Sequence, residues 1–391
     1  MVTPIPEHAE NDVALTILHT ADWHLGRRFP SFDADDATRL SRARLEVVER
    51  IFALAEQRQV DAVLCAGDLF DDISPDRDWF QGLADVIRKR GNPERPVVLL
   101  PGNHDPLVGG SVWSPEHELR RLLPEFVHVV DRDDFELPIG ECGVVLARPC
   151  RSKAGQGDNA LALPSREPGD DRIRIGLVHG STFDIPGWQQ SFPIAADAAV
   201  RRGLDYLAIG DTHAFRIVPP DAEVPTVYPS APEATSFGET DTGYVALVFF
   251  SRSRRALVQR EPVGAWAWER VRVDSLEALR ALLERDLSRV VLRLELEMMV
   301  DPEGLDEVER TLVELRGSDV KHGRVGALQI DREGLQLTTE GIDAYFEGLP
   351  EVLQRTAKRL QEIEAAGERA AEARRALYHL YRLSRGANEA T

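Results

Sequence analysis

The chain has 391 residues, 43% hydrophobic and 29% charged, which excludes extensive disorder and implies about two domains at roughly 100–200 residues each. Its net charge is −19, from 47 Lys+Arg against 66 Asp+Glu, so the overall field argues against nucleic-acid binding unless cations or a partner compensate. No apolar run approaches the ~20 residues of a membrane helix, and Cys65, Cys142 and Cys150 form neither a C-x-x-C pair nor a disulfide framework, so a cytoplasmic protein is expected.

Residues 1–13 read as a disordered tail, with Glu7 and Glu10 where a signal sequence would be basic and then apolar. Leu15 to Leu18 reads as a strand ending at Asp22. Residues 36–58 read as a helix, with Leu40, Val47, Val48, Ile51, Leu54 and Ala55 near 3.6 spacing. Ala62 to Ala66 is strand-like and runs into Gly67-Asp68. Ser74 and Pro75 suggest the N-cap and first position of a helix reaching Arg90. Val97 to Leu100 runs into Gly102-Asn103-His104-Asp105, and Ser114-Pro115 is expected to open another helix. Further strands are expected at 143–147, 173–178, 206–209 and 244–250, with a Gly/Pro/Asp-rich loop over 151–172. The first ~260 residues thus read as a layered α/β domain, sheet covered by helices.

A second unit starts near Trp266. It reads as β-α-β-α-β: a strand at 267–273, a helix at 275–288, strict alternation over 290–300, a helix at 302–316 and a strand at 325–330. Residues 271–350 hold 10 basic and 18 acidic residues, a charge of −8 that suits phosphate gripping poorly. Residues 345–385 are helical in pattern, with stripes at Leu353, Ala357, Leu360, Ile363 and at Leu377, Leu380, Tyr381, Ser384.

Five short blocks carry chemistry: Asp22-Trp23-His24, Gly67-Asp68, Gly102-Asn103-His104-Asp105, His179-Gly180 and Gly210-Asp211-Thr212-His213. Each follows a strand-like run, and in α/β sheets the C-terminal strand ends gather along one edge where ligands bind. That edge would collect Asp22, His24, Asp68, Asn103, His179, Asp211 and His213: three carboxylates, three imidazoles and an amide, with no thiolate. The mix suits hard-to-borderline divalent ions such as Mn²⁺, and seven groups suit two ions sharing a carboxylate, ~3.5–4 Å apart, that clamp phosphate oxygens and activate water. A single D-x-H, or one histidine at a strand end, would more often be structural; all five blocks in this order point to a phosphate-processing metal site.

The series D-x-H, G-D, G-N-H-D, H-G and G-x-x-H resembles the signature of calcineurin-like metallophosphoesterases. Within them, Ile17–Gly26, Ala66–Asp71, Leu204–Gly210 and the Tyr228–Glu233 turn are similar to the SbcD/YhaO branch of DNA repair exonucleases. The resemblance implies an α/β fold: a layered β-sandwich flanked by helices over 14–262, a small α+β capping domain at 263–341, and C-terminal helices at 342–391 that either fold back on the cap or dock a partner. It implies two divalent ions, Mn²⁺ with Mg²⁺ or Fe²⁺ as alternatives. Asp22, His24, His213 and bridging Asp68 would hold one ion; Asp68, Asn103, His179 and Asp211 would hold the other. His104 would be the catalytic residue beside the leaving oxygen. Asp105 would either orient His104 or cap the next turn. The implied partners are DNA and an SbcC-like coiled-coil ATPase, with no membrane; a homodimer is left open.

The last block departs from the family's usual G-H-x-H, since Asp211 stands where an imidazole normally ligates. Ligation by Asp211 is the favoured reading, the alternative being that it turns away and weakens the second site. No P-loop and no G-x-S-x-G elbow occur, so any ATP chemistry belongs to another protein. Arg27 and Arg28 are candidates for substrate phosphates or a solvated loop, and Trp113 and Trp188 for base stacking or core. Arg374, Arg375, Arg382 and Arg385 beside the last apolar stripe suit an acidic groove or a DNA-facing surface. The leading reading is a two-metal DNA phosphodiesterase (exo/endonuclease) in end processing or repair. The alternatives are a small-molecule nucleotide phosphoesterase and a catalytically weakened scaffold subunit.

Overall fold

The computed structural model describes residues 12–182, 191–317, 324–338, 345–347, 349–367 and 369–388. Residues 1–11 of the expected tail, and Trp188, lie outside the described residues. The chain divides into two units, Met1–Pro30 with Ala37–Trp266, and Ser31–Asp36 with Ala267–Thr391.

In the first unit two six-stranded sheets stack. One sheet is built from β1 (Val13–Thr20), β2 (Ala62–Cys65), β3 (Val97–Leu99), β4 (Val127–Val129), β11 (Tyr244–Ser251) and β12 (Ala256–Pro262), in the order β12-β11-β1-β2-β3-β4. The other holds β5 (Phe135–Ile139), β6 (Gly143–Ala147), β7 (Ile173–His179), β8 (Tyr206–Gly210), β9 (Phe215–Val218) and β10 (Thr226–Pro229), in the order β5-β6-β7-β8-β10-β9. β1, β2 and β3 run parallel, as do β7 and β8.

The near-continuous apolar runs of these strands follow from burial on both faces. Successive side chains alternate, so Leu15, Ile17, Leu64, Val98, Ile175 and Ala208 enter the layer between the sheets. Leu18, Val63, Cys65 and Leu99 turn the other way, onto helices α1 (Ala34–Gln57) and α2 (Arg77–Arg90). On the opposite face of the second sheet, Val178, Leu207 and Ile209 pack with Ala198 and Ala199 of the short helix α4 (Ala198–Arg201). A five-residue helix, α3 (Glu118–Leu122), lies between β3 and β4 in the chain.

Two helix starts differ from the sequence reading. α2 begins at Arg77, not Pro75, because the Ser74 N–H donates to Asp72 in a turn and Asp76 stays extended. α3 begins at Glu118, not Ser114: the Ser114 hydroxyl donates to the Val108 carbonyl, and the His117 ring caps the helix by accepting from Leu119 N. The short strands β4, β5, β9 and β10 escape the sequence reading, and β10 ends inside the stretch that reads as a turn.

The second unit has its own core. Parallel strands β13 (Ala267–Val273), β14 (Val290–Leu296) and β16 (Ala327–Asp331) form a sheet in the order β13-β14-β16. The expected strand over 290–300 breaks after Leu296: β15 (Met299–Val300) pairs with β17 (Gln336–Leu337) in a separate ladder. The helix expected at 275–288 is shorter, α5 (Leu276–Ala281) followed by a 3₁₀ turn at Leu282–Glu284. α6 (Pro302–Arg316) starts with Asp301 accepting from Gly304 N and Pro302 at the first position. The C-terminal helices α7 (Glu351–Ala366) and α8 (Ala370–Asn388) share this core: Ala357, Leu377, Tyr378 and Tyr381 are buried with Leu294, Leu312 and Leu337. They therefore fold back on the strands and helices of their own unit. The segment Ser31–Asp36 joins them, with Asp36 accepting from Leu328 N.

Leu64 is fully buried between the two sheets. Leu64→Ala should cost about 2–5 kcal/mol, read as a lower urea midpoint at unchanged slope.

Candidate metal centre

The C-terminal ends of β1, β2 and β3 in one sheet, and of β7 and β8 in the other, deliver the five blocks to one place. Backbone bonds tie the loops together: Asp22 N donates to Gly67 O (3.0 Å), and His24 N to Asp68 O (2.9 Å). Asp211 N donates to the Asp22 carboxylate (3.1 Å), and His104 N to Asp68 Oδ1 (2.9 Å). The close approach explains two glycines: a methyl on Gly102 would overlap the Asp68 carboxylate, and one on Gly67, at φ +93°, would strike the His179 ring. Asp22, His24, Asp68 and Asp211 all adopt positive φ, a costly conformation for side-chain-bearing residues that recurs at functional sites.

Three imidazoles present Nε2 to the same space. His24 Nε2 lies 3.1 Å from His213 Nε2 and 4.0 Å from Asp68 Oδ2; His179 Nε2 lies 3.5 Å from Asp68 Oδ2. The ligand atoms of Asp22, His24 and His213 fall within 4.8 Å of one another, as do those of Asp22, Asp68 and His179. The Asn103 amide is 2.8 Å from His179 Nε2. Turned one way it presents oxygen to the centre; turned the other, its nitrogen donates to Asp68.

Each Nδ1 is engaged on the outer side: His24 with Asp71 (3.1 Å), His179 with the Ala66 carbonyl (2.8 Å) and His213 with Glu239 (3.0 Å). Such outer partners fix ring orientation and leave Nε2 free to ligate. Glu239 is itself held by Thr235 N and the Thr235 hydroxyl. Asp71 also accepts from Arg27 (3.2 Å), so Arg27 is committed to the site's own carboxylate, while Arg28 is exposed.

The electrostatics are those of a crowded, water-poor pocket. Burial pushes the Asp22 carboxyl up to about 6. Burial acts the same way on Asp68, but the imidazoles of His179, His24 and His104 outweigh it and hold the carboxyl below its usual range. Burial lowers His24 to about 4, so that ring is neutral and free to ligate. Burial also works against charging His179, yet the surrounding carboxylates, Asp68 first, raise it well above its ordinary value.

Asp22, His24, Asp68, Asn103, His179 and His213 are thus brought together. Asp211 sits at the edge, its Oδ1 3.9 Å from His179 Nε2, and it joins none of the tight clusters formed by the described residues. His104 lies at the mouth, 43% exposed, its ring edge-on to His24 at 4.9 Å. The carboxylate facing His104 is Asp71, with Nδ1 3.8 Å from Oδ1. Asp105 is buried and accepts from Gly102, Phe70 and Leu69 N–H (2.8, 3.0 and 3.1 Å), so it braces two loops instead of orienting His104. Trp113 is fully buried against Phe70, a core residue and not a stacking platform.

Sequence reasoning missed Asp71, Glu239 and Arg44 as site residues. Arg44 is buried and donates to the Trp23 (2.6 Å), Ala234 (3.2 Å) and Asp22 (3.3 Å) carbonyls, clamping the first block to the 233–234 turn. Its signal was available: it occupies a position of the apolar stripe Leu40, Val47, Val48, Ile51, where a solvated arginine has no place.

The donor set fits divalent cations. Asp22 and Asp68 are buried, and the Nε2 atoms of His24 and His213 converge to 3.1 Å, where a cation would take both lone pairs. Asp71→Asn and Glu239→Gln should each weaken Mn²⁺ affinity roughly 10–100-fold in calorimetric titration, with little change in thermal unfolding of the metal-free chain.

Residues 15–215 match the family described as calcineurin-like phosphoesterase. The chain is 37% identical over 176 residues to the SbcD subunit of the SbcCD nuclease of Rhodobacter capsulatus, covering 43% of this chain and 39% of that protein. It is 35% identical over 178 residues to the SbcD subunit of the SbcCD nuclease of Bacillus subtilis, covering 44% and 38%. The chain thus aligns with less than half the length of these two relatives. A relative named uncharacterized metallophosphoesterase YhaO, from Bacillus subtilis, is 28% identical over 378 residues, 88% of each chain.

Proposed function

The chain belongs to the calcineurin-like phosphoesterase family, and from that premise we propose that it is a two-metal-dependent DNA phosphodiesterase, an exo- or endonuclease of DNA end processing that works beside an SbcC-like ATPase. The observation carrying this reading is the convergence of three outward-anchored histidines on two buried carboxylates. The two relatives named as SbcCD nuclease subunits support a nucleic-acid substrate. We assign the catalytic domain to 14–262, a capping domain to 263–341 and a partner-binding role to the helices of 342–391.

In this reading Asp22, His24, His213 and Asp68 would hold one ion, and Asp68, Asn103, His179 and Asp211 the other. The ions, when bound, supply Lewis-acid stabilisation of phosphate oxygens and a more acidic water. Asp211 adds an anionic oxygen donor where an imidazole is usual, which favours a hard ion such as Mn²⁺. Asp68 fixes the His104 backbone, so the residue serving the leaving group moves with the ligand beneath it. His104, exposed at the mouth, gives its proton to the departing oxygen. Three free thiols, two of them buried, suit a reducing cytoplasm.

A second reading, a phosphoesterase of nucleotides or other small esters, is favoured by the −19 charge. The two part on substrate. With Mn²⁺, a DNA enzyme degrades linear duplex as well as bis-p-nitrophenyl phosphate, whereas a small-ester enzyme leaves the duplex intact. His104→Ala should lower turnover on the accepted substrate roughly 10²–10⁴-fold while Mn²⁺ stoichiometry stays at the parental value; cleavage at the parental rate removes His104 from the chemistry.

A further inference from the structure

The second unit carries a cleft of about 820 Å³ between β16, the 31–33 segment and α8. That volume lies in the range of small-molecule sites, ~300–1,000 Å³. Five arginines line it, in a module whose residues 271–350 sum to −8. Three of them have carboxylate partners: Arg316 with Asp33 (2.9 Å), Arg293 with Asp331 (3.3 Å) and Arg332 with Glu309 (3.1 Å). The other two, Arg375 and Arg382, have no carboxylate partner among the described residues and are exposed. The neighbouring Arg374 is different: it is bound to Gln336 (2.8 Å) and Glu364 (3.1 Å).

Arg375, Tyr378 and Arg382 share one face of α8 at i, i+3 and i+7, placing the guanidiniums roughly 10 Å apart along the axis. Tyr378 is 1% exposed, its hydroxyl lacks a hydrogen-bond partner, and the Arg382 guanidinium carbon lies 5.7 Å from its ring centroid. Arg332 Nε is likewise buried without an acceptor. The cleft therefore offers two guanidinium forks without carboxylates, and two of its lining residues, Tyr378 and Arg332, each bury a donor that has no partner. Guanidinium forks match phosphate oxygens in pairs.

We propose that this cleft binds a small phosphate-rich anion of nucleotide size, spanning Arg375 and Arg382. A small ligand is favoured over a nucleic-acid strand because Asp33, Asp331 and Glu333 border the cleft and the surrounding module is acidic. A long polyanion leaving the cleft would meet like charge, whereas a compact one can sit on Arg375 and Arg382, with Asp33 and Asp331 neutralised by Arg316 and Arg293. The inference is independent of the metal-centre reading.

The test is calorimetric titration of the full-length chain with tripolyphosphate and with ATP, in EDTA and at physiological ionic strength, with adenosine as competitor. The expected result is one saturable site per chain for both polyphosphates, undisturbed by adenosine. Arg375→Gln/Arg382→Gln should weaken both ligands tenfold or more with unfolding temperature unchanged. Arg359→Gln, an exposed arginine of α7, should leave affinity at the parental value. Binding of ATP alone, displaced by adenosine, would overturn phosphate recognition. So would no saturable binding, equal affinity in the double variant, or arginine-dependent binding of duplex DNA without polyphosphate binding.

Discussion

Two carboxylates cannot share a buried pocket as free ions: each loses its hydration, and each repels the other. Asp22 and Asp68 are nevertheless placed this way, at 0% and 3% exposure, among the imidazoles of His24, His179 and His213. In the protein alone the conflict is relieved by protons, seen in the raised Asp22 carboxyl and the raised His179 ring. Cations relieve it more completely, because every inward donor can then keep its lone pair for the ion. Much of the first unit serves this arrangement. Parallel strands bring their ends to one edge, two glycines let loops touch, and four ligand-loop residues accept positive φ.

The same constraint reconciles an acidic chain with a phosphate substrate. A net charge of −19 repels polyanions at long range, but the field at the centre is set locally. In the proposed reading, divalent ions held by Asp22, Asp68 and three histidines would invert the sign where a phosphate ester sits. The outer partners Asp71 and Glu239 extend the network one layer further. Arg27 and Arg44 in turn hold Asp71 and the first ligand loop from behind.

The sandwich strands and their motif ends were legible because doubly buried strands leave unbroken apolar runs, and each run stops at a polar block. Positions of His24, His179 and His213 could be read for the same reason. Asp71 and Glu239 could not: Asp71 meets His24 from 47 residues away, and Glu239 stands in a loop with no pattern of its own. The helix starts fall later than Ser74 and Ser114 because local turns claim the Ser74 N–H and the Ser114 hydroxyl. The break after Leu296 was hidden because alternation continues across a change of sheet. The joining of Ser31–Asp36 to the second unit was invisible in the sequence, since it depends on long-range polar contacts: Asp36 with Leu328 N, Asp33 with Arg316 and Ser31 with Gln329.

Anomalous diffraction from crystals grown with Mn²⁺, recorded on both sides of the manganese edge, would show whether the metal-centre side chains cage a pair of ions. Two peaks ~3.5–4 Å apart are expected, enclosed by Asp22, His24, Asp68, Asn103, His179, Asp211 and His213. A lone peak, or manganese bound away from these side chains, would contradict the two-ion reading.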